Sequence, residues 1–155
     1  MPSTRTATPE DAALVAYFRE AMLRGMGHGD AATLDAMSRG FTTWVEERLK
    51  NGVYLGWITE DEGRPVASAG LFLMDWPPHP LDPKGATRGY LLNVYVDPAY
   101  RRRRLAKELT RMAMDECAKR GVAMMTLHAS DAGRPVYEGL GFTPGNEMQR
   151  RIAER

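Results

Sequence analysis

The chain has 155 residues, of which 43% are hydrophobic and 26% charged, a composition typical of one globular domain. Its 21 basic and 20 acidic side chains leave a formal net charge of +1, which excludes a general attraction to nucleic acid or to a membrane surface. Cys117 is the single cysteine, the N-terminus lacks the layout of a signal peptide, and no apolar run approaches the ~20 residues that span a bilayer. We therefore predict one domain over residues 1–155, in a soluble cytoplasmic protein.

Two amphipathic helices are predicted in the N-terminal third. Thr8-Pro9-Glu10-Asp11 is typical of a helix start, and apolar residues then follow at helical spacing as far as Gly25. A second apolar periodicity runs from about Asp30 to Lys50 and ends at Asn51-Gly52. Gly40 in its middle leaves open whether this helix is continuous.

Strands are predicted to follow. The segments VYLGWIT and VASAGLFLMDW are rich in β-branched and aromatic residues, and the turn EDEGRP between them indicates a hairpin. The segment WPPHPLDPKGATRG contains four prolines and is predicted to be a loop. GYLLNVYV, an apolar run bounded by Gly89 and Pro98, is then predicted to be a strand buried on both faces.

The C-terminal third predicts a helix, a strand, a short helix and a last strand. An apolar stripe from Leu105 to Cys117 predicts the long helix, VAMMTLHA the strand, and SDAGRPVYEGL the short helix. GFTPGNEMQRRI is expected to form a final strand or hairpin. Strands separated by helices in this way imply a parallel crossover, so the fold class is α+β or mixed α/β.

Four consecutive arginines, Arg101 to Arg104, stand between the predicted strand LLNVYV and the next helix. A helix start presents free backbone N–H groups and the positive end of the helix dipole, a place that favours phosphate. Basic residues there oppose the dipole unless an anion is bound. A solvated surface or a weak nucleic-acid patch is the alternative explanation of the run.

Two motifs resemble those of a known family and favour the phosphate site over the alternative explanation. VDPAYRRRRLAKEL resembles the cofactor motif of the GNAT superfamily of N-acetyltransferases, with Arg101 at its first position and Ala106 at its last. About thirty residues later, Tyr137-Glu138-Gly139-Leu140-Gly141-Phe142 resembles the Tyr-x-x-x-Gly-Phe signature of the same family. The order of predicted elements agrees with that family along nearly the whole chain.

The resemblance implies a fold and a cofactor. The fold is a central, mixed, mostly antiparallel sheet of six or seven strands, flanked by about four helices, in which the parallel strands 4 and 5 splay apart. The cofactor is acetyl-CoA as acyl donor, and no metal is implied. Its pantetheine arm is expected along the motif strand and its pyrophosphate at the helix start, in contact with Val94, Tyr95, Val96, Arg101, Arg102, Arg103, Arg104, Leu105, Ala106, Ser130 and Tyr137.

The resemblance also implies catalytic roles. Tyr137 corresponds to the residue proposed to protonate the departing thiolate, a role that a neutral phenol can fill. A backbone N–H of Val94 or Tyr95 is expected to stabilise the oxyanion. The general base is left open: Asn93 is predicted to orient a water, and the other polar groups that can face the cleft are Tyr95, His128 and Asp75.

Two residues depart from the family pattern. Ser130 stands where the family often has asparagine, which shortens the reach toward the cofactor. Arg104 stands where the motif has glycine, the residue that permits the closest approach to pyrophosphate. Helical dihedral angles are accessible to arginine, so we expect Arg104 to be tolerated there.

The predicted function is therefore acetyl transfer to an amine by direct attack. The acceptor is a small-molecule or peptide amine, with no nucleic acid or membrane as partner, and a homodimer is left open. The resemblance implicates the N-terminal helices, the proline-rich loop and the C-terminal strands in the acceptor pocket, through Met22, Met26, Trp44, Trp76, His79 and Met148. A catalytically silent acyl-CoA-binding regulatory module is the alternative, favoured by Arg104, Ser130 and the unassigned base.

Overall fold

The computed structural model describes residues 1–152. It begins with strand β1 (Ser3–Thr6) and a 3-10 turn at Pro9–Asp11, followed by helices α1 (Ala12–Gly25) and α2 (Ala31–Asn51). Three strands come next, β2 (Tyr54–Asp61), β3 (Arg64–Asp75) and β4 (Thr87–Val96). After a second 3-10 turn at Pro98–Tyr100, the order is α3 (Leu105–Lys119), β5 (Met125–Leu127) and α4 (Arg134–Gly139). None of the helices within residues 1–152 is long and apolar enough to cross a membrane.

The strands form one mixed sheet in the order β1-β2-β3-β4-β5. All neighbours are antiparallel except β4 and β5, which are parallel. The predicted fold class is confirmed, but the predicted count of six or seven strands is wrong for the described residues, which form five. The expected final strand or hairpin is missing because residues 143–152 form no regular structure. Pro144 lacks a backbone N–H and Gly145 pays a high conformational cost, so the segment is a poor strand.

The helix ends follow the signals in the sequence. Asp30 caps α2 by accepting a hydrogen bond from the Thr33 N–H at 2.8 Å, and Gly52 ends it in the left-handed region at φ 80°. The helix is continuous through Gly40. At the N-terminus, the Thr8 N–H donates to the Asp11 carboxylate at 2.8 Å, as the capping pattern predicts.

The sheet carries a core on each face. On one face, α3 packs Leu109, Ala113 and Cys117 against residues of β2, β3 and β4 that include Leu71 and Leu91. On the other face, α1 and α2 bury Val15 and Val45 against Tyr54, with Phe72 and Leu92 beside them. Because β4 lies between the two cores, its side chains alternate between the α3 face and the face covered by α1 and α2.

Candidate active site

A β-bulge interrupts strand β4 at Asn93. Leu92 pairs with Gly70 and Tyr95 with Ser68, so two residues of β4, Asn93 and Val94, lie opposite the single residue Ala69. Asn93 adopts the left-handed conformation at φ 59°, which asparagine tolerates better than most residues. The extra residue shifts the alternation of side chains between the two faces of the sheet for the residues of β4 that follow the bulge.

The two parallel strands separate just before the bulge. Strand β5 pairs with β4 only over Gly89, Tyr90 and Leu91. From Leu92 to Val96, β4 keeps β3 on one side and has no parallel partner among residues 1–152. The expected splay of strands 4 and 5 is therefore present.

A cavity of about 1050 Å³ opens in this gap. Its walls are the C-terminal part of α1, the end of β4, the loop into α3 and the segment from Ala129 into α4. The predicted cofactor residues converge on it with one exception: those that line it are Val94, Tyr95, Val96, Arg101, Arg102, Arg104, Leu105, Ala106, Ser130 and Tyr137. The exception, Arg103, places its guanidinium 4.8 Å from the centre of the Tyr100 ring.

The arginine run is exposed and carries uncompensated charge. Within residues 1–152, none of the side chains of Arg101 to Arg104 makes an ion pair. The Arg101 Nε donates to the Val96 carbonyl at 3.2 Å, and the side chain of Arg104, the N-cap residue of α3, makes no capping hydrogen bond. Free N–H groups, a helix dipole and unpaired cations at one end of a large cavity are the chemistry that binds a polyphosphate.

Arg104 reaches the cavity wall in a strained backbone conformation. It is the residue before α3 and adopts φ 63°, ψ 16°, in the left-handed region. The expectation that it would take ordinary helical angles is wrong, because the turn demands the conformation that the motif glycine supplies at low cost. Arg102 shares this strain at φ 66°.

We expect Arg104→Gly to stabilise the protein. Relief of the left-handed strain should raise the free energy of unfolding by about 1 to 2 kcal/mol. The greater freedom of glycine in the unfolded chain should lower it by about 0.4 to 1 kcal/mol. Thermal unfolding should show a net rise in Tm of a few degrees for a chain of this size. Arg103→Gly is the matched control, because Arg103 is not in the left-handed region and its replacement should lower Tm. A Tm for Arg104→Gly at or below that of the control would contradict the conclusion that the backbone of Arg104 is strained.

Tyr137 and Ser130 occupy the other side of the cavity. Tyr137 projects from α4, its ring packs edge-on against Phe142 at 6.0 Å, and burial raises the pKa of its phenol. The hydroxyl makes no hydrogen bond within the described part of the chain, residues 1–152. The Ser130 Oγ accepts a hydrogen bond from the Gly133 N–H at 3.0 Å, so Ser130 orders the turn into α4 and keeps its own hydroxyl proton available to a ligand.

A second cavity, of about 1040 Å³, lies across Tyr137 from the first. Ala129 and Tyr137 line both cavities. The second cavity is bounded by the proline-rich loop, the start of β4, β5 and the segment after α4, and its polar lining includes His79, Arg88, Tyr90, His128 and Glu147. The Tyr90 hydroxyl is hydrogen-bonded to His128 Nδ1. Tyr137 therefore forms part of the wall between the two cavities.

Asn93 lies in the protein interior and not on the wall between the two cavities. Its side chain is 2% exposed and lines neither cavity. The Nδ2 group donates to the Tyr54 hydroxyl at 2.9 Å, and the Oδ1 atom accepts from Arg19 Nη1 at 2.7 Å. Both ends of the amide are thus engaged, and burial raises the pKa of Tyr54 to about 12.

The remaining residues predicted from sequence are divided between the cavities and the core. Tyr95, Met22 and Met26 line the first cavity, whereas Trp76, His79 and His128 line the second. Trp44 is packed in the core between Phe41, Tyr54 and Phe72. Asp75, at the end of β3, and Met148, which is 92% exposed, line neither cavity.

Comparison with known families decides what this architecture is. The sequence model of the Acetyltransferase (GNAT) family matches residues 30–142, most of the chain. The protein belongs to the GNAT acetyltransferase family. The resemblance carried by the two motifs is confirmed, and acetyl transfer is the activity of the family. No curated protein sequence matches the chain.

Solved GNAT structures superpose over nearly the full length. A GCN5-related N-acetyltransferase from Ralstonia eutropha JMP134 is 43% identical, with a TM-score of 0.94 over 99% of this chain and 100% of that one. A predicted acetyltransferase from Clostridium acetobutylicum, crystallised with acetyl-CoA, is 26% identical, with a TM-score of 0.90 over 98% of this chain and 96% of that one. A glucosamine-6-phosphate N-acetyltransferase from Arabidopsis thaliana, 18% identical over 99% of each chain, shares the fold with a TM-score of 0.71.

Sequence reasoning missed three polar residues of this GNAT domain: Arg88 and Tyr90, which line the second cavity, and Arg19, whose charge acts on Tyr90. Arg19 carried a signal, because it stands four residues after Val15 and three before Met22, on the apolar side of α1. Arg88 was hidden because β4 begins at Thr87, inside the segment predicted to be a loop. Tyr90 was counted only as part of a buried strand.

Proposed function

We propose that the protein transfers an acetyl group from acetyl-CoA to a primary amine by direct attack, in one domain formed by residues 1–155. The observation that carries the proposal is Tyr137, which lies on the wall shared by the two cavities. One cavity then serves the acyl donor and the other the acceptor, with the reacting atoms between them. The Clostridium acetobutylicum relative, crystallised with acetyl-CoA, supports the choice of donor.

The first cavity has the features that CoA requires. Its volume of about 1050 Å³ is at the upper end of the range for small-ligand sites, and CoA is a large ligand that needs such a volume. We assign pyrophosphate binding to the backbone N–H groups of Leu105 and Ala106, with Arg101, Arg102 and Arg104 around them. Arg103 takes part only if its side chain leaves the Tyr100 ring. Val94 to Val96, unpaired on the β5 side, offer backbone groups to the pantetheine arm, and Ser130 offers a hydroxyl.

The thioester of the donor provides the activated acyl group, and the chain's own residues then supply two chemical roles. A backbone N–H of Val94 or Tyr95 stabilises the oxyanion that develops when the amine attacks. Tyr137 donates its phenolic proton to the departing sulfur, and because burial raises its pKa, the phenol stays protonated at neutral pH.

The amine must also lose a proton. Of the candidates identified from sequence, Asn93 is buried with both ends of its amide engaged, Asp75 lines neither cavity, and Tyr95 packs its ring against Phe18. His128 lines the acceptor cavity and is hydrogen-bonded to Tyr90. We therefore assign proton removal to His128, and the buried Asn93 to the positioning of Arg19 and the bulge.

The test is release of free CoA thiol from acetyl-CoA in the presence of a panel of amines, with acetyl-CoA binding measured separately by calorimetry. Acetylation of at least one amine, with a rate that falls in His128→Gln, supports the proposal. Tight acetyl-CoA binding with no thiol release across the panel would instead identify a catalytically silent acyl-CoA-binding module.

A further inference from the structure

Two arginines on the face covered by α1 and α2 carry charge that no acidic residue neutralises. Within residues 1–152, Arg19 of α1 and Arg88 of β4 make no ion pair. The Nε atom of each is buried without a hydrogen-bond partner. Within residues 1–152, the hydrogen-bond acceptor that contacts the Arg19 guanidinium is the neutral amide of Asn93.

Both guanidinium groups are held by aromatic rings. Arg88 stacks 3.8 Å from the centre of the Trp76 ring, and Arg19 lies 5.0 Å from the centre of Phe41. Stacking fixes the plane of a guanidinium and leaves the N–H groups on its edge for a planar or tetrahedral anion. Arg48 shows the usual alternative: it also stacks on a tryptophan, Trp44 at 4.3 Å, but donates to a backbone carbonyl.

The two arginines share a neighbour, Tyr90, at the acceptor cavity. Arg88 precedes Tyr90 by two residues on β4, so their side chains leave the same face of the sheet. Arg19 is close enough for its charge to oppose the burial that raises the pKa of Tyr90. Glu147, the acidic group that acts on Tyr90, makes no ion pair with either arginine. The other charged residues that line this cavity are Arg134, Asp82, Glu138 and Glu147, and within residues 1–152 none of them forms an ion pair with Arg88.

We propose that the acceptor is a small amine that also carries an anionic group, a carboxylate or a phosphate, held by Arg88 with the Tyr90 hydroxyl beside it and the charge of Arg19 behind Tyr90. The identification of the ligand as the acetyl acceptor rests on the proposed function, whereas the anion site itself does not. An unpaired, partly buried cation is costly, and a ligand anion would offset that cost. The anion at Arg88 would leave the amine of a small molecule free to reach toward Tyr137 across the same cavity.

Direct anion binding tests the site independently of catalysis. The protein is saturated with CoA, so that the arginine run is occupied, and titrated with inorganic phosphate and with acetate. The indole N–H resonance of Trp76 is followed by NMR, with Trp44 and Trp57 as internal references. We expect Trp76 to shift, the shift to be lost in Arg88→Gln, and Arg48→Gln to behave as wild type. The stronger of the two anions identifies the group that the acceptor carries.

Kinetics with matched pairs of amines tests the link to the acceptor. Each pair differs only in its anionic group, for example an amino acid and its amide, or a phosphorylated amino alcohol and its parent. Arg88→Gln is expected to raise KM for the anionic member about 10- to 100-fold, the range for losing a charge-assisted hydrogen bond, while kcat and CoA affinity change little. Arg19→Lys, which keeps the charge but not the fork geometry, should give a smaller rise in KM.

Each outcome has a separate meaning. A Trp76 resonance that ignores both anions, or transfer that is equally efficient for both members of every pair, overturns the inference. An equal rise in KM in Arg88→Gln and Arg48→Gln does so too. Anion binding that depends on Arg88 without transfer to any amine supports the anion site and contradicts the proposed acetyl transfer.

Discussion

Tyr137→Phe is expected to lower kcat for acetyl transfer by about 100- to 10,000-fold, the range for loss of a general acid. The departing thiolate then has no donor at the junction of the two cavities. The phenyl ring keeps the edge-on contact with Phe142, so α4 and the affinity for acetyl-CoA should be nearly unchanged. Steady-state rates and calorimetric Kd values for acetyl-CoA separate the two effects.

Tyr17→Phe is the matched control for Tyr137→Phe. Tyr17 lies on α1, is 59% exposed and lines neither cavity, so removal of its hydroxyl should leave the rate unchanged. The pH dependence gives a second check. Burial raises the pKa of Tyr137 above its usual value of 10.0, so wild-type activity should not decline from loss of this proton anywhere near neutral pH. A wild-type rate in Tyr137→Phe would remove the residue from the mechanism.

The helices were predictable because their signals are local. Asp30 as a cap, Gly52 as a left-handed end and the apolar stripe of α3 each act within a few residues, and all three are present in the structure. Strand β1 was missed because Ser3–Thr6 is polar and exposed along its length, and pairing with β2 alone makes it a strand. Apolar positions in residues 143–152 suggested a strand, but in the structure the backbone of this segment forms no strand.

The donor side of the site was more predictable than the acceptor side. The proposed pyrophosphate site depends on a helix start and a run of cations that are contiguous in sequence, so the motif and the electrostatics of the helix start both predict it. The proposed acceptor cavity is lined by Arg88 and Tyr90 of β4 and by His128, and Arg19 of α1 acts on Tyr90; only the fold brings these three segments together. The left-handed angles of Asn93 and Arg104 were also hidden, because neither position is a glycine.

Asn93→Ala is expected to lower the free energy of unfolding by about 3 to 5 kcal/mol, a large part of the 5 to 15 kcal/mol typical of a domain. The substitution leaves Arg19 without its acceptor and the buried Tyr54 hydroxyl without its donor, at about 1 to 3 kcal/mol for each group. Alanine also bears the left-handed strain at φ 59°, about 1 kcal/mol. Urea unfolding, with m-values compared to the wild type, measures the loss.

Two further variants at this position divide the effect into its causes. Asn93→Gly relieves the backbone strain but not the lost hydrogen bonds, so it should recover only about 1 kcal/mol relative to alanine. Asn93→Asp keeps an acceptor for Arg19, and the Tyr54 hydroxyl can rotate to donate to it, so its loss should be the smallest of the three. A cost below about 1 kcal/mol for Asn93→Ala would contradict the importance of the network.

The same variants decide whether Asn93 acts in the chemistry or in positioning. If its amide orients a water, Asn93→Asp should lower kcat although the domain remains folded. If it acts only by holding Arg19 and the bulge in place, the Asp variant should keep kcat, whereas the Gly variant should raise KM for the acceptor as Arg19 loses its anchor. The burial of Asn93 and the engagement of both ends of its amide favour the positioning role. The bulge and the cation beneath the acceptor cavity would then depend on one asparagine, which links the stability of β4 to the recognition of the acceptor.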